Sequence, residues 1–407
     1  MSQKRGKFLF ILYFFHAIVS YCGENTVMLQ GFHWGSCNIS PWWNVLSSKA
    51  SEISKAQIDI VWFPPSQDSL SDEGYLPRKL YVQDSKYGTM NQLQSAINSM
   101  HSYGIKVLAD VVLNHRVGVK DWADFKEPDW NLDACTKDDE YKKCSGNYDT
   151  GKPYEAARDI DHTQKYVRDS LKQWLLWLRN SIGYDGWRYD YAMGFAPQFF
   201  IEYNDYTSPL FSVAEIWDDL DINNIDSHRQ KLCDWMDATK GKIKVFDFTT
   251  KGVLQYAIYT GEYWRLSDRQ GKPSGLIGWW PSNAVTFIDN HDTAARQGSL
   301  SHRSWPFPSS QLMQGYAYIL THPGIPCIFW PHFFDSGLKE EIIKLIQIRK
   351  KYNLNSNSNV YIITATTNLY AANIDNKIIV KIGSGNWSPD SSWKLVLSGN
   401  NYAIWSK

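Results

Sequence analysis

The 407-residue chain has no excess of charge of either sign, with 42 Lys and Arg against 42 Asp and Glu. That balance argues neither for a nucleic-acid partner nor for an anionic membrane surface. Beyond the first 23 residues no apolar run is long enough to span a membrane. Internal repeats and low-complexity tracts are missing too. There is no phosphate-binding glycine loop, no Ser-His-Asp pattern and no zinc-like Cys/His cluster, so three large enzyme classes lose their usual machinery. Cysteine is sparse at six residues, whereas aromatics are plentiful, at 15% with 19 Trp. That density suits surfaces that stack on sugar rings, although core packing also consumes aromatics.

Residues 1–23 read as a secretory leader, with Lys4, Arg5 and Lys7 ahead of the apolar run Phe8–Val19. Secretion is the expected address, and the sequons Asn38-Ile39-Ser40 and Asn386-Trp387-Ser388 agree with it. Cys135 and Cys144 are close enough to bridge within one loop, while Cys233 and Cys327 read as buried thiols.

Eight short apolar runs follow in series: Val27–Phe32, Ile58–Phe63, Ile105–His115, Asp185–Asp190, Phe211–Glu215, Lys244–Phe248, Ala284–Asp289 and Ile325–Trp330. Helical spacing appears between several of them, at Met90–Tyr103, Gln164–Leu178, Ser227–Asp237, Ser310–Leu320 and Lys339–Lys351. The alternation predicts an α/β fold, a parallel (β/α)8 barrel over 24–115 and 161–352, with a doubly wound open sheet as the alternative. Residues 116–160 break the rhythm and read as an insertion. From 353 to 407 short alternating runs predict a C-terminal antiparallel β domain.

Four of the runs end in acidic or histidine side chains: Asp110 with Asn114 and His115, Arg188 with Asp190, Glu215, and His291 with Asp292. In a barrel these ends share one face. Arg188 and Asp190 lie two apart, so an extended segment turns both to one side, and the guanidinium favours the ionised carboxylate. Glu215 sits among Val213, Ala214, Ile216 and Trp217, surroundings that favour the protonated acid. Taken singly, either group reads equally as a structural ion pair. Together, a protonated acid beside an ionised carboxylate points to glycoside hydrolysis.

The stretches Asp110-Val-Val-Leu-Asn-His115, Gly186-Trp-Arg-Tyr-Asp190, Val213-Ala-Glu215-Ile-Trp217 and Phe287-Ile-Asp-Asn-His-Asp292 resemble the four motifs of the α-amylase family. Glu73-Gly-Tyr75-Leu-Pro, Ser85-Lys-Tyr-Gly88, Phe246-Asp-Phe-Thr-Thr-Lys251, Gly278-Trp-Trp-Pro281 and Met313–Cys327 resemble its plant members. The resemblance implies endo-hydrolysis of α-1,4 bonds in starch, amylose, amylopectin and malto-oligosaccharides by a monomer. It assigns Asp190 as nucleophile, Glu215 as acid/base and Asp292 as the third carboxylate. Arg188, His115 and His291 would hold substrate and nucleophile, and Tyr75 would stack under the sugar at the cleavage point. Trp279 and Trp280 resemble a secondary starch-binding patch, though a Gly-Trp-Trp-Pro loop also suits a core. The insertion would bind structural Ca2+ through Asn114, Asp149 and Asp159 and the carbonyls of Lys152 and Gly194, hard oxygen donors of the kind calcium takes.

The sequence departs from the pattern in places. Met193 stands where a basic residue usually holds the sugar beyond the cut, and a thioether cannot replace those donors. The insertion is short, and His33 and Gly35 replace the more usual Asn and Glu. Tyr370 matches a second sugar-contact position, but Ser398 stands where its partner histidine is expected. Other readings remain: an exo-acting or transglycosylating relative, or a protein that binds glucan without cutting it.

Overall fold

The computed structural model describes residues 25–295 and 304–407; the leader read at 1–23, with Cys22, lies outside them. Eight parallel strands close a barrel: β1 (Met28–Gln30), β2 (Ile60–Phe63), β3 (Lys106–Val111), β4 (Gly186–Tyr189), β5 (Phe211–Ala214), β6 (Lys244–Phe246), β7 (Ala284–Thr286) and β8 (Ile325–Phe329). Each pairs with its sequence neighbours, and β1 closes the ring against β8 with Met28 opposite Cys327. Strands buried on both faces explain why these runs are apolar throughout instead of alternating.

Among the described residues eight α-helices surround the barrel: α1 (Trp42–Lys55), α2 (Met90–Ser102), α3 (Lys165–Trp177), α4 (Pro197–Thr207), α5 (Ile225–Ala238), α6 (Phe248–Thr260), α7 (Leu312–Thr321) and α8 (Lys339–Lys351). Their starts follow local chemistry. Thr89 and Gln92 form a reciprocal capping box on α2, and Pro197 opens α4 where its missing N–H costs nothing. Asp247 accepts from Thr250 N to cap α6. That cap corrects the sixth strand, which stops at Phe246 instead of running to Phe248. The third strand also ends early, at Val111; His115 and Arg116 then pair with Asp159 and Arg158 in a two-stranded ribbon.

The ribbon anchors the excursion between β3 and α3, where Cys135 and Cys144 form a disulfide. Inside it Arg158 pairs with Asp139 at 2.5 Å, both side chains almost wholly buried. The chain ends in five antiparallel strands: β9 (Val360–Ala365), β10 (Tyr370–Ile374), β11 (Ile378–Ile382), β12 (Lys394–Gly399) and β13 (Tyr402–Ser406), in the order β9-β10-β11-β13-β12. The sheet rests on α7, where Gly383 N donates to Gln314 Oε1 at 2.9 Å. Tyr370 is fully buried there, its hydroxyl 2.8 Å from His322 Nε2, so its role is to join the two domains and not to contact sugar.

Candidate active site

Arg188, near the end of β4, is fully buried, and three carboxylates gather on it. Its Nη1 donates to Asp110 Oδ1 at 2.9 Å and to Asp190 Oδ1 at 2.5 Å. Its Nη2 lies 2.7 Å from Glu215 Oε1, an ion-pair distance without hydrogen-bond alignment. Such a cluster is stable only because one fixed cation serves all three acids. Asp110 is held further by Tyr75 Oη at 2.8 Å and by Trp62 Nε1 at 3.1 Å.

Burial raises the Glu215 carboxyl well above its ordinary range; Arg188 opposes this, while the charges of Asp190 and Asp292 add to it. Asp110 is raised as well, again by burial first and against Arg188. Glu215 therefore keeps its proton toward neutral pH, the condition a general acid needs. Immediately after Asp190, Tyr191 adopts a left-handed φ of 42°, and its N–H lies 3.3 Å from Glu215 Oε2. A non-glycine residue held in that region marks stored backbone strain, of order 1–3 kcal/mol, beside the acid pair.

The carboxylates open into a cleft of about 630 Å³ lined by aromatic and acidic side chains. On one wall Tyr75 stacks on His291, their ring centres 5.1 Å apart, and Trp34 lies parallel to both rings. His291 is fixed by Gln30 Nε2 at 3.0 Å from its Nδ1, and its Nε2 lies 3.2 Å from Asp292 Oδ2. His115 stacks on Tyr154 with centroids 3.8 Å apart. Burial lowers the His115 pKa, so the ring is neutral and Nε2–H donates to Tyr75 O at 2.8 Å. Trp217 and Met193 line the cleft near Glu215.

The predicted cation ligands also converge, next to this cleft. Asn114 Nδ2 donates to Asp159 Oδ1 at 3.1 Å and lies 3.3 Å from His115 Nδ1, which turns Asn114 Oδ1 toward Gly194. A Cβ on Gly194 would fall 1.9 Å from that oxygen, so only glycine fits. Lys152 N donates to Met193 O at 2.9 Å and ties the two main-chain segments together. Asp149 Oδ2 is buried with no hydrogen-bond partner. Burial, then the charges of Asp149 and Asp139, push Asp159 up to about 8. A buried carboxylate at Asp159, a half-buried one at Asp149, an amide oxygen and main-chain carbonyls fit a hard divalent ion. Among the described residues no three His, Cys, Asp or Glu converge as in an all-side-chain metal cage, so an ion held here would need main-chain carbonyls as well.

Trp279 and Trp280 lie away from the cleft. Trp279 is 39% exposed with the Arg229 guanidinium 3.9 Å from its ring centre, whereas Trp280 packs on the core. Sequence reasoning missed Trp34, Tyr154 and the bridging role of Asp110. Trp34 opens a short 3-10 helix, Trp34–Asn38, and Tyr154 sits on a loop, so neither falls in a periodic stretch that would single it out.

Residues 43–199 match the family pattern described as "Alpha amylase, catalytic domain", and residues 351–406 match "Alpha-amylase C-terminal beta-sheet domain". The chain is 44% identical to "Probable alpha-amylase 2" of Arabidopsis thaliana, with 94% of each chain covered. It is 42% identical to "Alpha-amylase 3, chloroplastic" of the same plant over 93% of its own length, though it spans only 44% of that relative. Among solved structures, an α-amylase from Geobacillus thermoleovorans complexed with acarbose shares the fold, with a TM-score of 0.65 at 16% identity over 88% of this chain and 87% of that one.

Proposed function

The chain belongs to the α-amylase family of glycoside hydrolases, and from that premise we propose that it is an endo-acting, retaining hydrolase of α-1,4-glucosidic bonds in starch and malto-oligosaccharides. The observation that carries this reading is one buried guanidinium at ion-pair distance from both Asp190 and Glu215, with Glu215 biased to its protonated form. Glu215 gives its proton to the glycosidic oxygen as the bond to the anomeric carbon breaks. Asp190 Oδ then bonds to that carbon. Water displaces Asp190, and its proton returns to Glu215. Asp292 and His291 face the developing positive charge on the sugar ring, and Tyr75, parallel to His291, offers a flat surface under that ring.

Asn114, Asp149, Asp159, Lys152 O and Gly194 O would hold Ca2+, which when bound neutralises the two unpaired carboxylates. Residues 116–160 serve as the calcium-binding insertion and 353–407 as the accessory β domain, with Trp279 and Trp280 as a glucan contact outside the cleft. Secretion is supported by the leader-like start and by the Cys135–Cys144 disulfide, since oxidising compartments preserve such bonds.

The test is reducing-end release from soluble starch by wild type and Glu215→Gln, with the anomeric form of the first product followed by polarimetry. Release of α-anomeric mixed oligosaccharides by wild type alone supports the reading. Wild type that binds starch and releases nothing would leave the non-catalytic alternative standing.

A further inference from the structure

The cleft holds an unassigned cation. Among the described residues that line it, Lys152 is the single Lys or Arg side chain, Arg188 being buried beneath the carboxylates. Its main chain belongs to the insertion, but its ammonium reaches back across the cleft to Asp218 Oδ1 at 2.8 Å. Asp218 follows Glu215 by three residues, in the segment that leaves β5. The acid must face the oxygen of the departing sugar, so Trp217, Asp218 and Lys152 flank the leaving-group side of the cut. Met193 lies on that same side, hydrogen-bonded through its carbonyl to Lys152 N. Met193 can present no donor to a hydroxyl. Lys152 can present three.

Asp218 has a second cation, with Lys231 Nζ 2.5 Å from its other oxygen. The two lysines pair with different oxygens of one carboxylate. When Lys152 turns toward a sugar, Asp218 stays paired through Lys231, so the exchange leaves no bare charge. Half of the Lys152 side chain is exposed, at 51%, and a flexible four-carbon stem lets the ammonium move without the main chain.

Building on the proposed hydrolysis, we propose that Lys152 is a specificity-determining residue which holds hydroxyls of the departing sugar and does so in place of a donor at position 193. Its contribution is greatest on short malto-oligosaccharides, where few other subsites are filled. On long glucan chains many contacts share the hold and the contribution is diluted.

The experiment measures kcat and KM for wild type, Lys152→Met, Lys152→Arg and the double variant Lys152→Met with Met193→Lys, on maltotetraose and on soluble starch. Loss of a charged donor to a hydroxyl is expected to raise KM for maltotetraose about tenfold, with kcat carrying little of the change and starch affected less. Lys152→Arg keeps the hold. In the double variant the new lysine, one hydrogen bond away along the main chain, restores most of it. An unchanged KM in Lys152→Met overturns the proposal. So does an equal loss on both substrates together with a lower unfolding temperature that Met193→Lys does not repair, because that result assigns Lys152 only the strap to Asp218. A wild type that cuts neither substrate would instead overturn the hydrolytic reading on which the proposal rests, and starch is included to tell those failures apart.

Discussion

Two clusters of carboxylates withdrawn wholly or partly from solvent sit side by side in this chain, and they solve the same electrostatic problem in opposite ways. In the cleft, Asp110, Asp190 and Glu215 share the fixed guanidinium of Arg188. In the insertion, Asp149 and Asp159 have no such partner: the nearby Arg158 is committed to Asp139 and Glu140. A buried charge needs either a partner or a proton. The cleft cluster carries its own cation and can be set by folding alone, with burial biasing Glu215 toward its protonated form. On the proposed reading, the insertion's cluster takes its cation from outside. Asn114 and His115, adjacent in sequence, link the two, because Asn114 touches Asp159 while His115 holds the main chain of Tyr75.

The sharpest way to break the catalytic cluster is Glu215→Gln, which keeps the shape and removes the transferable proton. Activity on starch should fall by about 10²–10⁴-fold, with the fold intact by circular dichroism. Arg158→Met tests the insertion's own internal pair. Removing one member of a buried ion pair costs about 3–5 kcal/mol, so denaturant unfolding should show a large loss of stability. Chelation comes next and acts on one cluster only. Withdrawing a bound ion that saturates its site a hundredfold costs about 2.7 kcal/mol, so the unfolding temperature should drop by several degrees, and calcium should restore it. In Asp159→Asn that response should shrink; if chelation lowers both proteins equally, the ion lies elsewhere.

The pH profile then probes how the catalytic cluster is set. Activity requires Glu215 protonated, so it is lost as pH rises through the Glu215 pKa, which burial has raised. The charge of Asp292 contributes to that rise. Asp292→Asn removes it, so the residual activity of this variant should fail at a lower pH than wild type. A limb that moves upward or stays fixed would mean that Asp292 does not tune the acid.

How much of this contrast was legible in the sequence depends on range. Arg188 and Asp190, two apart on one strand, declared their shared side by periodicity alone. Glu215 and Asp292 were legible as polar ends of apolar runs, because a closed parallel barrel puts all such ends on one face. The eight strands were legible for the same reason, although β1, β3, β6 and β7 are shorter than their apolar runs. At the ends of β3 and β6 something other than apolarity decides the outcome: the Asp247 side chain caps α6, and the His115 main chain leaves the barrel to pair with that of Asp159. Helices α1, α4 and α6 escaped notice. In α6 the first seven residues, Phe248–Leu254, are all buried, so no polar face marks the helical period. The reach of Lys152 to Asp218 was invisible, since 66 residues separate them and only the closed fold brings them together.

The smallest effect expected is also the one that discriminates best. From sequence alone, the missing donor at position 193 predicts that Met193→Lys will tighten binding of short oligosaccharides. With Lys152 already presenting an ammonium on that side, a second one meets hydroxyls that are partly satisfied and a like charge nearby. The gain in wild type should therefore stay within about threefold in KM. In Lys152→Met the same substitution should recover most of a tenfold loss. Two sites that serve one contact are non-additive, whereas independent sites give equal factors in both backgrounds. The double-mutant cycle on maltotetraose thus asks whether the leaving-group side of the cleft has one cation position or two. Equal gains in the two backgrounds would mean that Lys152 and residue 193 act on different parts of the sugar.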